Sequence, residues 1–432
     1  MIAVERRELQ PGVFQTALRT RKFKTGCLSL HLITPLDPAT VSVHALLPQL
    51  LRRGTELCPG MEQLAARLDS YYGAYLEPSV RKVGECQCIG FVGSFVDDAF
   101  VPDKLPLLEK MAALLGEVLL HPATQNGRFY ADWLEGERDQ LLDRILAQRN
   151  DKMTYAALRL IQLMCKDEPY GVSSIGTEKT VKAIRLTKVF QTYRELLESA
   201  PIEIFYCGSA SVDRVERALR DGLRDLSPRR RDPWPETKLI RHAPADAPRT
   251  FTDRMDVLQG KLGMGFRTGV GPGDEEYPAL LIFNAVYGGT ATSKLFLNVR
   301  ERLSLCYYAS SGIHRSKGIM TVQSGIEFSN YDRAKDEILA QLEACRRGEF
   351  DEAELNAARR AMINALRTAT DAQLRLEDFY LGQTLAGLDY GPDEMALLLE
   401  DVTHEQVTEA ARRVELDSVY FLTGTEEPHE GA

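Results

Sequence analysis

The sequence predicts an α+β protein built from two similar domains, each a mostly antiparallel sheet packed with helices. Three observations lead to this class. The chain has 432 residues, which is too long for one ordinary hydrophobic core. Short alternating apolar segments, typical of strands, are interspersed with segments that have the apolar spacing of amphipathic helices. Finally, one ordered series of features occurs twice along the chain, as described below.

Strand and helix patterns follow one another in the first half. Residues 27–35 form an apolar segment that predicts a strand, and residues 82–95 form a long alternating segment with one apolar face. Between residues 104 and 120, apolar side chains recur at the spacing of an amphipathic helix. A further strand is predicted at residues 202–207.

The second half repeats this plan. Residues 261–269 are strand-like, and residues 318–327 alternate. Ile338, Leu342 and Cys345 share one face of a predicted helix, and residues 351–386 predict one or two further helices.

The ends of the two halves carry the internal repeat. Residues 186–209 and 402–425 both show an apolar residue, a threonine, a helix, a short strand and a glycine, at a shift of about 216 residues. Thr187 and Thr403 are the expected helix N-caps. A Tyr-Gly pair precedes each segment, at Tyr170 and Tyr390. The repeat indicates a tandem duplication.

The domain bounds follow from this repeat. We predict a first domain at residues 1–228, a linker rich in proline and charge at 229–248, and a second domain at 249–432. The arginine run at 229–231 is expected to be solvated.

Composition excludes several classes of function. A net charge of -9 without a long basic run argues against nucleic-acid binding. The apolar stretches are too short to span a bilayer, and the first residues lack the apolar core of a signal peptide. The eight scattered cysteines form no C-x-x-C pair. A cytoplasmic location with reduced thiols is expected, without a membrane or nucleic-acid partner.

Three passages resemble the pitrilysin/insulinase metallopeptidase family, in the order in which that family has them. They are LLPQLLRRGTE with LAARLDSYYGAYL, then EPYGVSSIGTEKTVKAIRLTKVFQTYRE, then LFLNVRERLSLCYYASSG. The resemblance covers essentially the whole chain. It implies two homologous domains that face each other as a clam-shell.

This family holds zinc with an inverted H-x-x-E-H motif, in which two histidines bind the metal and the glutamate activates water. By the resemblance, the histidine positions are Ala45 and Gln49 and the glutamate position is Pro48. A methyl group and a carboxamide cannot replace imidazole, and proline cannot accept a proton. Pro48 is expected to start or bend a helix. His44 alone is expected to be a packed or surface residue.

The last zinc ligand of the family is a distant glutamate. Its position falls at Arg144, or at Asp143 if the register slips by one residue. A guanidinium repels a dication. The resemblance therefore implies that this chain binds no zinc and is not active alone.

The second-domain signature retains residues that bind substrate in the family. An arginine and a tyrosine seven residues apart contact the substrate and the transition-state oxygen in active relatives, and they match Arg300 and Tyr307. The alternative is structural: Arg300 ends a helix and pairs with an acid, while Tyr307 packs in a strand. In relatives, the turn that matches Gly73 and Ala74 opens an edge strand that pairs with the substrate. The alternative is that this strand, without zinc beside it, serves only packing.

Two functional hypotheses follow from the resemblance. In the first, the chain is a non-catalytic subunit of a heterodimeric zinc peptidase, with zinc supplied by a homologous partner; a homodimer is expected in the absence of that partner. In the second, the chain is a structural or peptide-binding scaffold with no role in proteolysis. An independent hydrolase has little support, because no G-x-S-x-G nucleophile motif is present.

Overall fold

A computed structural model of the chain describes residues 3–425. Two compact units divide the chain, and each is built around one sheet. Unit 1 consists of the chain up to Leu146, Val172–Glu236 and Gln373–Leu385; unit 2 consists of Ala147–Gly171, Thr237–Ala372 and the chain from Ala386 onward. The two-domain α+β class is confirmed. The predicted domain bounds, 1–228 and 249–432, describe the two halves of the sequence repeat and not these units, so they stay a prediction.

Unit 1 contains a six-stranded sheet of order β1-β2-β6-β3-β5-β4. Its strands are β1 (Ala3–Gln10), β2 (Val13–Arg19), β3 (Thr25–Pro35), β4 (Tyr75–Val83), β5 (Cys86–Val96) and β6 (Ile202–Gly208). All neighbouring pairs are antiparallel except β2 and β6. The alternating segment predicted at 82–95 comprises most of strand β5 and the preceding turn of the β4–β5 hairpin, where Gly84 has a φ of +57°.

Helices cover one face of this sheet and bury a large apolar core against it. They are α1 (Val41–Leu51), α2 (Met61–Asp69), α3 (Leu107–Leu120), α4 (Ala131–Asn150), α6 (Glu178–Lys182), α7 (Leu186–Ser199) and α8 (Val212–Gly222). In α3, the predicted apolar positions Leu107, Met111, Leu114 and Val118 are all fully buried.

Unit 2 contains a five-stranded sheet of order β7-β11-β8-β10-β9. Its strands are β7 (Arg249–Arg254), β8 (Gly260–Arg267), β9 (Cys306–His314), β10 (Ile319–Ile326) and β11 (Glu415–Thr423). Again one neighbouring pair is parallel, β11 with β7, and the others are antiparallel. The two sheets thus share a plan in which β3-β5-β4 corresponds to β8-β10-β9.

The helices of unit 2 bury apolar stripes in the same way. They are α5 (Lys152–Met164), α9 (Tyr277–Asn284), α10 (Tyr331–Arg346), α11 (Glu352–Ala369), α13 (Pro392–Glu400) and α14 (His404–Arg413). Two wide helical segments, Ala285–Gly289 and Leu295–Arg302, precede β9. None of the helices within residues 3–425 is long and apolar enough to cross a membrane.

The second face of each sheet is covered by a helix from the other half of the sequence. In unit 1 this helix is α12 (Gln373–Ala386), whose Leu376 and Tyr380 pack with Leu18 and Phe205 of the sheet. In unit 2 it is α5, whose Leu160 packs with strand β11. The two halves of the duplicated chain therefore exchange one helix each.

Three local expectations are corrected by the structure. Thr403 caps α14 as predicted, but α7 begins two residues earlier than expected, after Arg185, and Thr187 lies inside the helix. Arg231 is buried and donates to the Ala200 carbonyl at the end of α7, so the arginine run is not uniformly solvated. Helix α1 also runs through Pro48, as described next.

Candidate functional site

The predicted zinc-motif positions lie on helix α1. The Ala45 side chain is fully buried, Pro48 is buried and Gln49 is partly exposed. The helix neither starts at Pro48 nor ends there; it begins at Val41 and continues to Leu51. The expectation that Pro48 starts the helix was wrong. The surrounding core holds the helix together although one backbone donor is missing.

His44 points into the core of unit 1. Its Nδ1 lies 3.1 Å from Gln87 Oε1 and 3.3 Å from the Thr34 hydroxyl. Burial lowers the pKa of His44 to about 4, so that the ring is neutral at pH 7. This histidine is a packed and hydrogen-bonded core residue.

The positions predicted for the last ligand lie on the solvent-facing side of α4. Asp143 and Arg144 are both exposed. The acid that α4 does bury is Glu137, and its Oε1 accepts a hydrogen bond from Arg53 at 2.6 Å. The donor set of this region does not fit zinc, because it offers a methyl group, a proline ring, an amide and an exposed guanidinium. Across residues 3–425, no group of three or more His, Cys, Asp or Glu side chains is arranged to hold a metal ion.

Arg300 lies near the end of the wide helical segment Leu295–Arg302 in unit 2. Its side chain is 43 % exposed, and its guanidinium carbon lies 4.8 Å from the centre of the Phe296 ring. Its Nε lies 3.5 Å from the carboxylate of the adjacent Glu301. An exposed ion pair at this distance contributes little free energy, so the guanidinium keeps donors for another group.

Tyr307 is the second residue of β9 and is 62 % exposed. Its hydroxyl donates to Glu327 Oε1 at 2.6 Å, and this hydrogen bond, together with the negative charge, raises the pKa of Tyr307. In the structural alternative Tyr307 is a packed strand residue, and this half of it does not fit the exposed side chain. The other half, Arg300 at a helix end beside an acid, agrees with its contact to Glu301.

A short turn fixes the separation of Arg300 and Tyr307. Ser304 adopts a left-handed backbone with a φ of +48°. Its N–H donates to the Arg300 carbonyl, and the Leu305 N–H donates to the Val299 carbonyl, both at 3.1 Å. A non-glycine residue in this conformation costs roughly 1 kcal/mol. The two hydrogen bonds close the helical segment and start the strand.

Gly73 and Ala74 connect α2 to the edge strand β4, as the resemblance implies. Tyr72 and Gly73 both have left-handed backbones, with φ of +61° and +69°. The Ala74 N–H donates to the Leu68 carbonyl at 3.2 Å, a pattern typical of a helix C-terminus. Gly73 is exposed and Ala74 is buried.

A buried polar cluster under α12 was not predicted. Glu377 accepts hydrogen bonds from Ser29 and His31, each at 2.9 Å, and forms an ion pair with Arg81. Burial alone would raise the pKa of Glu377, but these hydrogen bonds outweigh it and lower the pKa to about 2. The adjoining cavity has a volume of about 10 Å³, which accommodates one water molecule. The cluster joins α12 to the sheet and has no space for a substrate.

A similar ionic cluster joins α5 to the sheet of unit 2. Arg267 is fully buried and donates to Asp417 at 2.9 Å and to Glu168, the residue four positions beyond α5. Lys317 contacts Glu168 at 2.8 Å, and Arg249 contacts Asp417. These charges satisfy one another and leave no open site.

Comparisons with known proteins agree with this geometry. The family described as Peptidase M16 inactive domain matches residues 183–362. A "probable inactive metalloprotease" of Bacillus subtilis (strain 168) is 34% identical over 423 residues, which is 96% of each chain. An uncharacterised zinc protease of Mycobacterium tuberculosis is 25% identical over 67% of this chain and 66% of its own length.

A solved structure covers nearly the whole chain. It is a conserved protein from Enterococcus faecalis V583, with 28% identity and a TM-score of 0.89 over 98% of this chain and 99% of its own. Together with the Bacillus relative, it accounts for both units. The chain belongs to the M16 peptidase family, the pitrilysin/insulinase type, as one of its inactive members.

Proposed function

We propose that this chain is a peptide-binding, non-catalytic subunit that completes the active site of a homologous zinc-bearing peptidase. Arg300 binds a carbonyl or carboxylate of the peptide, and Tyr307 donates a hydrogen bond to the oxygen that becomes negative in the transition state. The partner supplies the zinc ion and the activated water.

The observation that carries this proposal is the exposure of the Arg300 and Tyr307 side chains. A residue retained only for stability is usually buried or tightly paired, whereas these two side chains point polar groups into solvent. The contact of Arg300 with Phe296 leaves guanidinium donors available, whereas the single hydroxyl hydrogen of Tyr307 reaches a substrate only when its contact with Glu327 opens. In contrast, the side chains at the zinc-motif positions in unit 1 are either buried in the hydrophobic core or lie unpaired on the surface.

The cysteines support a cytoplasmic location for such a complex. All eight are free thiols, and seven of them are buried. A reducing compartment keeps such thiols unpaired.

The test is a mixing experiment with a zinc-bearing homologue from the same genome. The chain alone is expected not to cleave an unstructured peptide. The mixture is expected to co-elute in size-exclusion chromatography and to cleave the peptide faster than the homologue alone. A homologue whose rate is unchanged by this chain would favour the scaffold hypothesis, and self-association alone would favour the homodimer.

A further inference from the structure

The four edge strands of the two sheets differ in how they are protected. An exposed edge is a template for another strand, and proteins protect edges with charged residues and proline. Charged side chains occur in β1 (four between residues 5 and 8), in β7 (Arg249, Asp253 and Arg254) and in β4 (Glu77, Arg81 and Lys82). Strand β9 has neither charge nor proline from Cys306 to Ile313.

We infer that β9 is a docking edge to which an extended peptide adds as a further strand. This inference rests on the proposed function and adds the way in which the peptide is held. Strand β9 is the counterpart in unit 2 of β4 in unit 1, because each is the last strand of an equivalent series of three.

The β4 edge is chemically poor for this purpose. Pro78 has no N–H to donate, and a proline in an edge strand directs its nitrogen away from the ladder. The backbone groups of Leu76, two residues earlier, point to the same outer edge as the nitrogen of Pro78. The Leu76 carbonyl already accepts a hydrogen bond from Arg52 Nε at 2.7 Å. One donor and one acceptor on the outer edge of β4 are thus removed.

The β9 edge retains its backbone groups. Within the described part of the chain, residues 306–313 form backbone hydrogen bonds only to β10. In an antiparallel ladder, every second residue directs both its N–H and its C=O away from the partner strand. Ser310 and Gly312 are exposed, and a side chain built at Gly312 would meet no atom within 4 Å. A peptide strand has space to approach.

The occupant follows from the position of the edge. Tyr307 belongs to β9 itself, and the Arg300 carbonyl is bonded to the turn that leads into it. A strand added to β9 would therefore pass the side chain assigned to the transition-state oxygen. Main-chain hydrogen bonds do not depend on the peptide's side chains. The ligand class is an unstructured peptide of about five or more residues, bound with little sequence preference.

Hydrogen–deuterium exchange of the full chain tests the docking edge. The probe is the synthetic peptide Ac-GSTVSTVSTG-NH2, at a concentration that saturates binding in fluorescence anisotropy. We expect exchange in 306–314 to slow by at least about tenfold, while exchange in Tyr75–Val83 stays unchanged. A probe N-methylated at every residue is expected to bind at least about tenfold more weakly, since it has lost the donors of both strand edges.

Several results would overturn the inference. They are protection of β4 without protection of β9, undiminished binding of the N-methylated probe, or absence of peptide binding. Protection of β9 that rises with protein concentration in the absence of peptide would assign this edge to a second copy of the chain. The proposed function is tested separately: docking at β9 combined with no effect of Arg300 or Tyr307 variants on the mixed peptidase would contradict that function alone.

Discussion

The Tyr307 hydroxyl donates a hydrogen bond to Glu327 Oε1 at 2.6 Å, across adjacent ends of β9 and β10. The carboxylate holds the phenolic proton in place and raises the pKa of Tyr307. The hydroxyl thus stays protonated, but its single hydrogen is donated to Glu327, so Tyr307 must leave this carboxylate before it can donate to an oxyanion.

Replacement of Glu327 by alanine is expected to lower the pKa of Tyr307 towards the ordinary value of about 10. The hydrogen bond and the negative charge are both lost. NMR titration of ring-labelled tyrosine, with the signal assigned by Tyr307→Phe, measures the shift. Tyr155 also donates to a carboxylate, that of Asp253, and should titrate unchanged in the same variant. An unaltered Tyr307 signal would show that the contact is absent in solution.

His44 makes the stability of unit 1 depend on pH. Its folded pKa of about 4 lies below the ordinary 6.5. Between these values the unfolded chain binds a proton that the folded chain does not. Stability is therefore fully present above pH 6.5 and falls as the pH drops to 4, by roughly 3 kcal/mol in total.

The variant His44→Asn should show a shallower slope; part of the slope remains because burial also lowers the pKa of His31 in the same unit. Urea unfolding followed by tryptophan fluorescence measures the slope, because Trp133 and Trp234, the two tryptophans of the chain, belong to unit 1. Below pH 4.5 both proteins should lose stability, because Glu377 binds a proton in the unfolded chain while its pKa of about 2 keeps it ionised in the folded chain. Parallel curves between pH 4 and 6.5 would disprove the assignment to His44.

Removal of Asp417 should destabilise unit 2 strongly. In Asp417→Asn, Arg267 and Lys317 would keep the carboxylate of Glu168, but Arg249 would lose the carboxylate that it contacts. Loss of one partner from a buried ion pair typically costs about 3–5 kcal/mol. Scanning calorimetry should show a lower Tm, and the double variant Arg267→Met with Asp417→Leu should recover part of it. The exposed control Asp336→Asn should change stability by less than about 0.5 kcal/mol.

Restoring the zinc motif should fail. Ala45 has no exposed surface, so imidazole at this position overpacks the core and should cost about 1–3 kcal/mol. Gln49→His, at a partly exposed position of the same helix, is the matched control and should be tolerated. The combined variant A45H, P48E, Q49H and R144E is expected to bind no stoichiometric zinc in metal analysis. Stoichiometric zinc would mean that the chain lacks only the ligand side chains, and that the core has space for them.

Much of the fold could be predicted because period and capping are local properties. The apolar spacing of α3 and the alternation of β10 were visible in the sequence, and Thr403 caps α14. The prediction that Thr187 is the N-cap was wrong because a threonine after an apolar residue can stand either at the N-cap or inside the first turn of a helix. The choice of Arg185 as the N-cap depends on where the core buries Val189 and Tyr193.

The exchange of α5 and α12 could not be predicted, because an amphipathic stripe does not specify which sheet it will cover. The clue to the buried cluster was Ser29 and His31, which place polar groups on one face of a strand that is otherwise apolar. Their partner Glu377 lies 346 residues from His31 in the chain, so no local pattern indicates it. Glu327 lies 20 residues from Tyr307 and was missed because the pairing of β9 with β10 was not predicted.

The central claim is that Arg300 and Tyr307 act on a peptide bound in a mixed peptidase. The direct measurement is kcat/KM of that complex with Arg300→Ala and Tyr307→Phe, each against a matched control. Arg302→Ala removes an exposed arginine from the same segment, and Tyr155→Phe removes a carboxylate-bound hydroxyl from unit 2. We predict losses of at least about a hundredfold for the first pair and less than about twofold for the controls. Equal rates in all four variants would contradict the account.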